Sequence, residues 1–180
     1  MILVLVTQLF VDCKSREDET TKVRQGSDSH AMTGIHWQVP ERWKVQQPRQ
    51  MRIATYTVPA ASGDSEAGEC GVFYFGAGQG GDVESNIARW INQFEPPGVP
   101  TRSSRVVDGL KVSMLDLSGT YLASGGPMMA TKEKKEGYRL IGAIVEAPNG
   151  PVFFKLTGPV ATVASAEGEF NELIESVTPR

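Results

Sequence analysis

The sequence predicts an α+β domain: a three-layer α/β/α sandwich whose mainly antiparallel sheet of about six or seven strands carries a helix on each face. Three observations lead there. The pairs Asp108-Gly109 and Asn149-Gly150 each interrupt apolar runs. Asp-Gly and Asn-Gly are strong signals for tight hairpin turns, because these residues tolerate the positive φ such turns need. Residues 140–145 read LIGAIV; a strand apolar at successive positions needs cover on both sides. Two segments place apolar residues at helical spacing, which supplies one amphipathic helix for each face.

The elements follow in order. Residues 35–39 alternate apolar and polar and read as a half-buried strand ended by Pro40, with a turn at 41–43. Residues 51–58 (MRIATYTV) form a second strand, rich in β-branched and aromatic residues, that stops at Pro59. Residues 60–68 are small and polar, hence a loop, and 70–75 form a third strand. The glycine-rich loop 76–81 leads to Asp82, a helix N-cap. Val83, Ile87, Trp90, Ile91 and Phe94 recur at helical spacing, so a helix is expected over 83–94, stopped by Pro96 and Pro97. Residues 104–107 and 110–117 form a hairpin. On its second arm Leu110, Val112 and Met114 point one way and Leu115 and Leu117 the other. That pattern implies either a bulge or a strand passing from one covering element to another. Residues 124–137 read as a loop ending in the charged run 132–136, taken as a solvated loop tip. Strands at 138–145 and 152–157 follow, then a last helix carrying Phe170, Leu173, Ile174 and Val177 into the core. Trp37, Trp43 and Trp90 are core residues on this reading.

Hydrophobic residues make up 40% and charged residues 22% of the 180, enough to build one core without staples. The formal net charge of −3 offers no basic field, so no nucleic-acid partner is expected. Residues 1–32 are set apart as a signal-like apolar segment and polar linker, with the domain at 33–180. The run 1–11 (MILVLVTQLFV) has the length of a signal-peptide core. Cys13 follows it where a bacterial lipoprotein carries its lipidated cysteine, and a polar stretch comes next. Against this stand the absence of Lys or Arg before the run and Asp12 in place of a small residue. The alternative is a frayed hydrophobic terminus or an edge strand. The expectation is an exported or envelope-associated bacterial protein with a possible membrane tether through Cys13; a cytoplasmic protein is the alternative.

The motifs carry little chemistry. Gly76-x-Gly78-x-x-Gly81 matches the dinucleotide fingerprint and lies between a strand and a helix. The helix, however, leads to a Pro-Pro break and a hairpin rather than a parallel return strand. A glycine turn is the simpler reading, and Asp82 competes for the helix N-terminal amides that an anion would use. His30 and His36 are the only histidines, and no cluster has metal-ligand spacing, so no metal and no cofactor are expected. Cys70 opens an apolar run and reads as a buried inert thiol; a Cys70–His36 dyad would need neighbouring strands. No nucleophile elbow or Walker loop occurs. Candidate ligand or partner contacts are Gly78, Gln79, Gly80 and Gly81, together with Pro127, Met128 and Met129, whose methionines could make a pliable surface.

Two stretches resemble the Mog1/PsbP-like fold. One is Trp37-Gln38-Val39-Pro40-Glu41-Arg42-Trp43, a strand followed by Pro-x-x-Trp. The other is Gly150-Pro151-Val152-Phe153-Phe154-Lys155-Leu156-Thr157-Gly158-Pro159 with the helix through Phe170 and Ser176. The resemblance spans about residues 33–178 and is similar to bacterial secreted or lipid-anchored members. It implies the sandwich above. Members include a small-GTPase-binding protein and photosystem accessory subunits, but none of their functional residues matches here. The function expected is a non-enzymatic, envelope-associated binding or accessory role with a protein partner and no identified small molecule. The alternative is a small-ligand binder or enzyme using the 76–81 and 123–137 loops.

Overall fold

The computed structural model describes residues 31–47, 49, 51–96, 98–123 and 133–180. Cys13, His30, Pro127, Met128, Met129 and Lys132 lie outside them. The chain runs β1 (Ile35–His36), β2 (Lys44–Val45), β3 (Ala54–Val58), β4 (Gly68–Tyr74), α1 (Val83–Ile91), β5 (Phe94–Glu95), β6 (Thr101–Val107), β7 (Leu110–Ala123), β8 (Glu133–Ala147), β9 (Gly150–Pro159), α2 (Val160–Glu175) and β10 (Thr178–Pro179).

Eight strands form one sheet in the order β2-β3-β4-β9-β8-β7-β5, with β6 also paired to β7. Every pairing in it is antiparallel. The expected hairpin forms at Asp108-Gly109, both at positive φ (45° and 81°). Hairpins β3–β4 and β8–β9 meet along β4–β9, which stitches the two ends of the chain into the sheet centre.

Side-chain alternation splits the interior into two cores. On one face Cys70, Val72, Val112, Ala143, Phe154 and Leu156 pack under Val163, Ala166, Phe170, Leu173 and Ile174 of α2. On the other, Leu115, Leu117, Leu140, Ile144 and Phe153 pack under Ile87 and Trp90 of α1. Strand β7 therefore serves both covers: Leu110 and Val112 join the first core, Leu115 and Leu117 the second. The register shift on this strand comes later, between Gly119 and Tyr121.

Helix α2 begins without a side-chain cap of its own, at Pro159. Asp64, from the loop after β3, supplies one: its Oδ2 accepts from the Thr162 backbone N–H at 2.9 Å and from the Thr162 hydroxyl at 2.6 Å. Asp82 caps α1 as expected, accepting from the Ser85 N–H at 2.8 Å.

Several boundaries differ from the sequence reading. The first expected strand shrinks to β1, which pairs with β10 in a separate two-stranded sheet; His36 and Cys70 are thus not on neighbouring strands. The short strand β2 was not expected. Helix α1 ends at Ile91, and Phe94 is buried not by the helix but by pairing in β5 against Tyr121. The run 133–136 is not a loop tip: it opens the 15-residue strand β8 and pairs with the far end of β7.

Candidate functional site

The two helices cover their faces unequally. Helix α2 has 16 residues and α1 only nine, roughly 14 Å at 1.5 Å per residue. Strand β8, with 15 residues, spans roughly 50 Å. Among the described residues, no helix covers one end of the α1 face. There the alternation that buries Phe73 and Phe153 continues outward as Gly71 and Glu69 on β4 and as Lys155 and Thr157 on β9.

That end holds a cavity of about 220 Å³, walled by Phe73, Tyr121 and Tyr138 and charged by Arg52, Glu66, Glu69, Lys135 and Lys155. The Tyr121 and Tyr138 rings stack at 5.9 Å. Glu66 accepts from Lys135 Nζ at 2.6 Å and from the Tyr138 hydroxyl at 2.5 Å, and the lysine bond holds its carboxyl below the usual range. Glu69 takes two guanidinium groups, Arg49 at 2.7 Å and Arg52 at 2.6 Å. The Arg52 guanidinium also lies over the Phe73 ring, 5.2 Å from its centroid.

Lys155 sits on the central strand β9. Its Nζ donates to Gln93 Oε1 at 2.5 Å and to the Tyr121 hydroxyl at 3.3 Å, and lies 5.2 Å from the centre of the Tyr121 ring. Burial lowers its pKa to about 8, Arg52 pushes it the same way, and Glu69 opposes. Burial also raises the Tyr121 phenol.

The glycine loop lies elsewhere. Gly78, Gly80 and Gly81 have φ of 69°, 87° and 80°, so glycine serves the turn itself. Gln79 N–H closes it on the Gly76 carbonyl at 3.1 Å. A Cβ on Gly80 would come within 2.8 Å of Phe75 and 3.2 Å of Phe153. None of Gly78, Gln79, Gly80 and Gly81 lines the cavity. Pro127, Met128, Met129 and Cys13 fall outside the described residues; Ala123, just before the 124–132 segment, and Lys135, three residues after it, are both at the cavity wall. Cys70 is fully buried, and burial pushes its thiol up. Among the described residues no group of His, Cys, Asp and Glu could hold a metal.

Sequence reading missed the cavity residues. The available signal was Lys155 itself, a cation in a strand otherwise apolar from Val152 to Leu156 on both faces.

No family model and no curated relative matches this sequence. Solved structures similar in shape include the following three. LpqN of Mycobacterium tuberculosis, described as involved in cell envelope biogenesis, has a TM-score of 0.51 at 10% identity, covering 80% of this chain and 82% of its own. Cyanobacterial PsbP from Synechocystis sp. PCC 6803 has a TM-score of 0.51 at 8% identity, covering 82% and 88%. A protein of Pseudomonas aeruginosa described as a putative regulator reaches 0.47 at 13% identity, covering 77% and 98%. Together with the antiparallel sheet and its two helical covers, the likeness to LpqN and PsbP shows that this chain has the Mog1/PsbP-like fold.

Proposed function

We propose that the protein is a non-enzymatic binding module of the cell envelope and that the cavity beyond α1 is its binding site. The observation that carries this is the recess at the end of the α1 face beyond the helix. A surface left open only for lack of cover would be lined by hydrophilic side chains reaching into water. Here Phe73, Tyr121 and Tyr138 wall a recess, and five charged side chains are held in place by one another or by the sheet. Convergent polar groups on an apolar wall are what a ligand site needs. The carboxylates do not resemble general bases: Glu66 and Glu69 are each held by two donors. The envelope location draws support from the fold shared with LpqN, a protein described in connection with cell envelope biogenesis, and from the apolar run and Cys13 at the start of the sequence. Fold alone does not fix function, so each half of the reading has its own test. A C-terminally tagged full chain, expressed in a bacterial host and fractionated, is expected with the envelope; recovery only in the cytosol refutes the location. Native mass spectrometry of the gently purified protein is expected to show a bound mass that Ala67→Phe, which fills the cavity from its rim, removes. Identical spectra for both proteins refute the site.

A further inference from the structure

The charges around the cavity do not balance evenly. Lys135 is matched by Glu66, and Arg52 shares Glu69 with Arg49. Lys155 has no carboxylate within ion-pair distance among the described residues; its partners are the neutral Gln93 and Tyr121. The lining is left with one positive charge in excess, and that charge is on the most enclosed of the cations.

The backbone beside it allows a close approach. Gly71 on β4 pairs across the sheet with Lys155. A Cβ there would lie 2.9 Å from the Phe73 ring and 3.6 Å from Arg52 Cζ. Glycine lets the Phe73 ring, with the Arg52 guanidinium over it, lie close against β4 next to Lys155, and Tyr121 of β7 contacts the lysine. At about 220 Å³ the space is below the roughly 300–1,000 Å³ of drug-sized ligand sites.

We propose that the cavity takes a small monocarboxylate with a compact apolar body, its carboxylate between Lys155 and Arg52 and its body against Phe73 and Tyr121. This rests on the cavity being the binding site. The charge fits a monoanion, the walls fit an aromatic or short alkyl group, and Arg52, which gives one N–H to Glu69, retains further donors for an oxygen. The groups facing Lys155 are Arg52, Glu69, Gln93 and Tyr121, with Glu66, Lys135 and Tyr138 also lining the cavity. Burial and Arg52 disfavour its charge. A bound carboxylate favours it, so binding takes up a proton where free Lys155 is partly neutral.

The test uses the full chain and four probes: benzoate, hexanoate, benzamide and inorganic phosphate. Calorimetry at about pH 8.5, in two amine buffers of different protonation enthalpy, reads both affinity and proton uptake. Saturable binding of benzoate or hexanoate, benzamide at least about tenfold weaker, and proton uptake are expected. Lys155→Met should lose about tenfold or more, and Lys155→Arg should retain most of the affinity but lose the proton uptake. The proposal is overturned if neither carboxylate binds at about 10 mM, if benzamide equals benzoate, if phosphate is preferred, or if Lys155→Met binds like wild type. Failure here is separable from failure of the site. If the carboxylates do not bind but Ala67→Phe still removes a co-purified mass, the cavity stands and the ligand class falls. If Ala67→Phe changes neither probe binding nor the native spectrum, the cavity falls as well.

Discussion

Substituting Gly142 by alanine tests how α1 is seated. Gly142 lies in the middle of β8, paired with Leu115 on one side and Lys155 on the other. The Trp90 ring of α1 rests directly on it: a Cβ at Gly142 would fall 2.3, 2.7 and 3.2 Å from three ring carbons. Ordinary contact needs more than about 3.5 Å between carbons, so the ring or the strand must move by more than an ångström. Trp90 is 6% exposed and has Phe153 edge-on at 6.5 Å, so the ring has little room to swing. Overpacking of this kind costs about 1–3 kcal/mol, and the depth of the clash puts Gly142→Ala at the upper end, about 3 kcal/mol. Urea unfolding followed by tryptophan fluorescence measures it, with the midpoint shifted at constant m-value. The same substitution in a Trp90→Ala background meets no ring. There it should be neutral or stabilising by about 0.5–1 kcal/mol, since alanine is less costly than glycine to order in a strand. Trp90→Ala alone should cost about 3–5 kcal/mol. The double-mutant cycle then shows a coupling of about 3–4 kcal/mol. A Gly142→Ala protein within about 0.5 kcal/mol of wild type, or equal effects in both backgrounds, would refute this account of the helix seat.

Three further outcomes follow from the structure. Asp64→Ala removes the acceptor for both the backbone N–H and the hydroxyl of fully buried Thr162, and should lower stability by about 1–3 kcal/mol in urea unfolding, with Asp64→Asn intermediate. Lys155 has a folded pKa of about 8, below its ordinary value. Between those two values the unfolded chain holds more protons, so this group makes stability rise with pH there, and its destabilising effect is fully present below about pH 8. Lys155→Met should thus be more stable than wild type at pH 7, by about 1–3 kcal/mol after the lost hydrogen bonds, with the gap closing toward pH 10.5 in a series of melts. A stop before Phe170 removes Phe170, Leu173, Ile174 and Val177, all at 0–1% exposure, forfeiting roughly 6–12 kcal/mol of gross burial; the product should be insoluble, and a soluble, cooperatively melting one would contradict the role of α2 in the first core.

The parts of this fold that were legible in the sequence are those where apolar pattern and cover coincide. The run 140–145 is central because both helices press on it, and its alternation feeds both cores. The Asp108-Gly109 turn was legible from local chemistry alone. The misread segments are strands that outrun their cover. Beyond α1, β7 and β8 continue as far as Ala123 and Glu133, past the cover the helix provides, and the apolar alternation lapses there. Glu133, Lys134 and Lys135 then look like a solvated loop although they pair with Ala123, Leu122 and Tyr121 of β7. Phe94 misled for the opposite reason: it falls at helical spacing after Ile87 and Trp90, yet is buried through a two-residue strand. The candidate site was hidden by the same lapse. Glu66 and Lys135 sit where pattern reading finds only polar connection, Arg52 near the start of an expected strand with nothing to mark it, and their convergence around Lys155 depends on pairings far apart in sequence.

The division of the α1 face separates stability from binding. Its apolar half, around Trp90, Leu140 and Ile144, is filled, so changes there act on folding free energy. Its polar half carries Lys155 at a cost, since burial and Arg52 both disfavour the ammonium. A chain selected for stability alone would place an apolar residue at 155, which the alternation of β9 would bury beside Phe153. Retaining a half-buried lysine there, opposite a glycine over which Phe73 and Arg52 fold in beside it, is the pattern expected of a site that gives up some folding free energy for recognition. It follows that substitutions in the two halves should differ in kind. Those under α1 move the unfolding midpoint, whereas those at Lys155 raise it or leave it unchanged and act on the ligand.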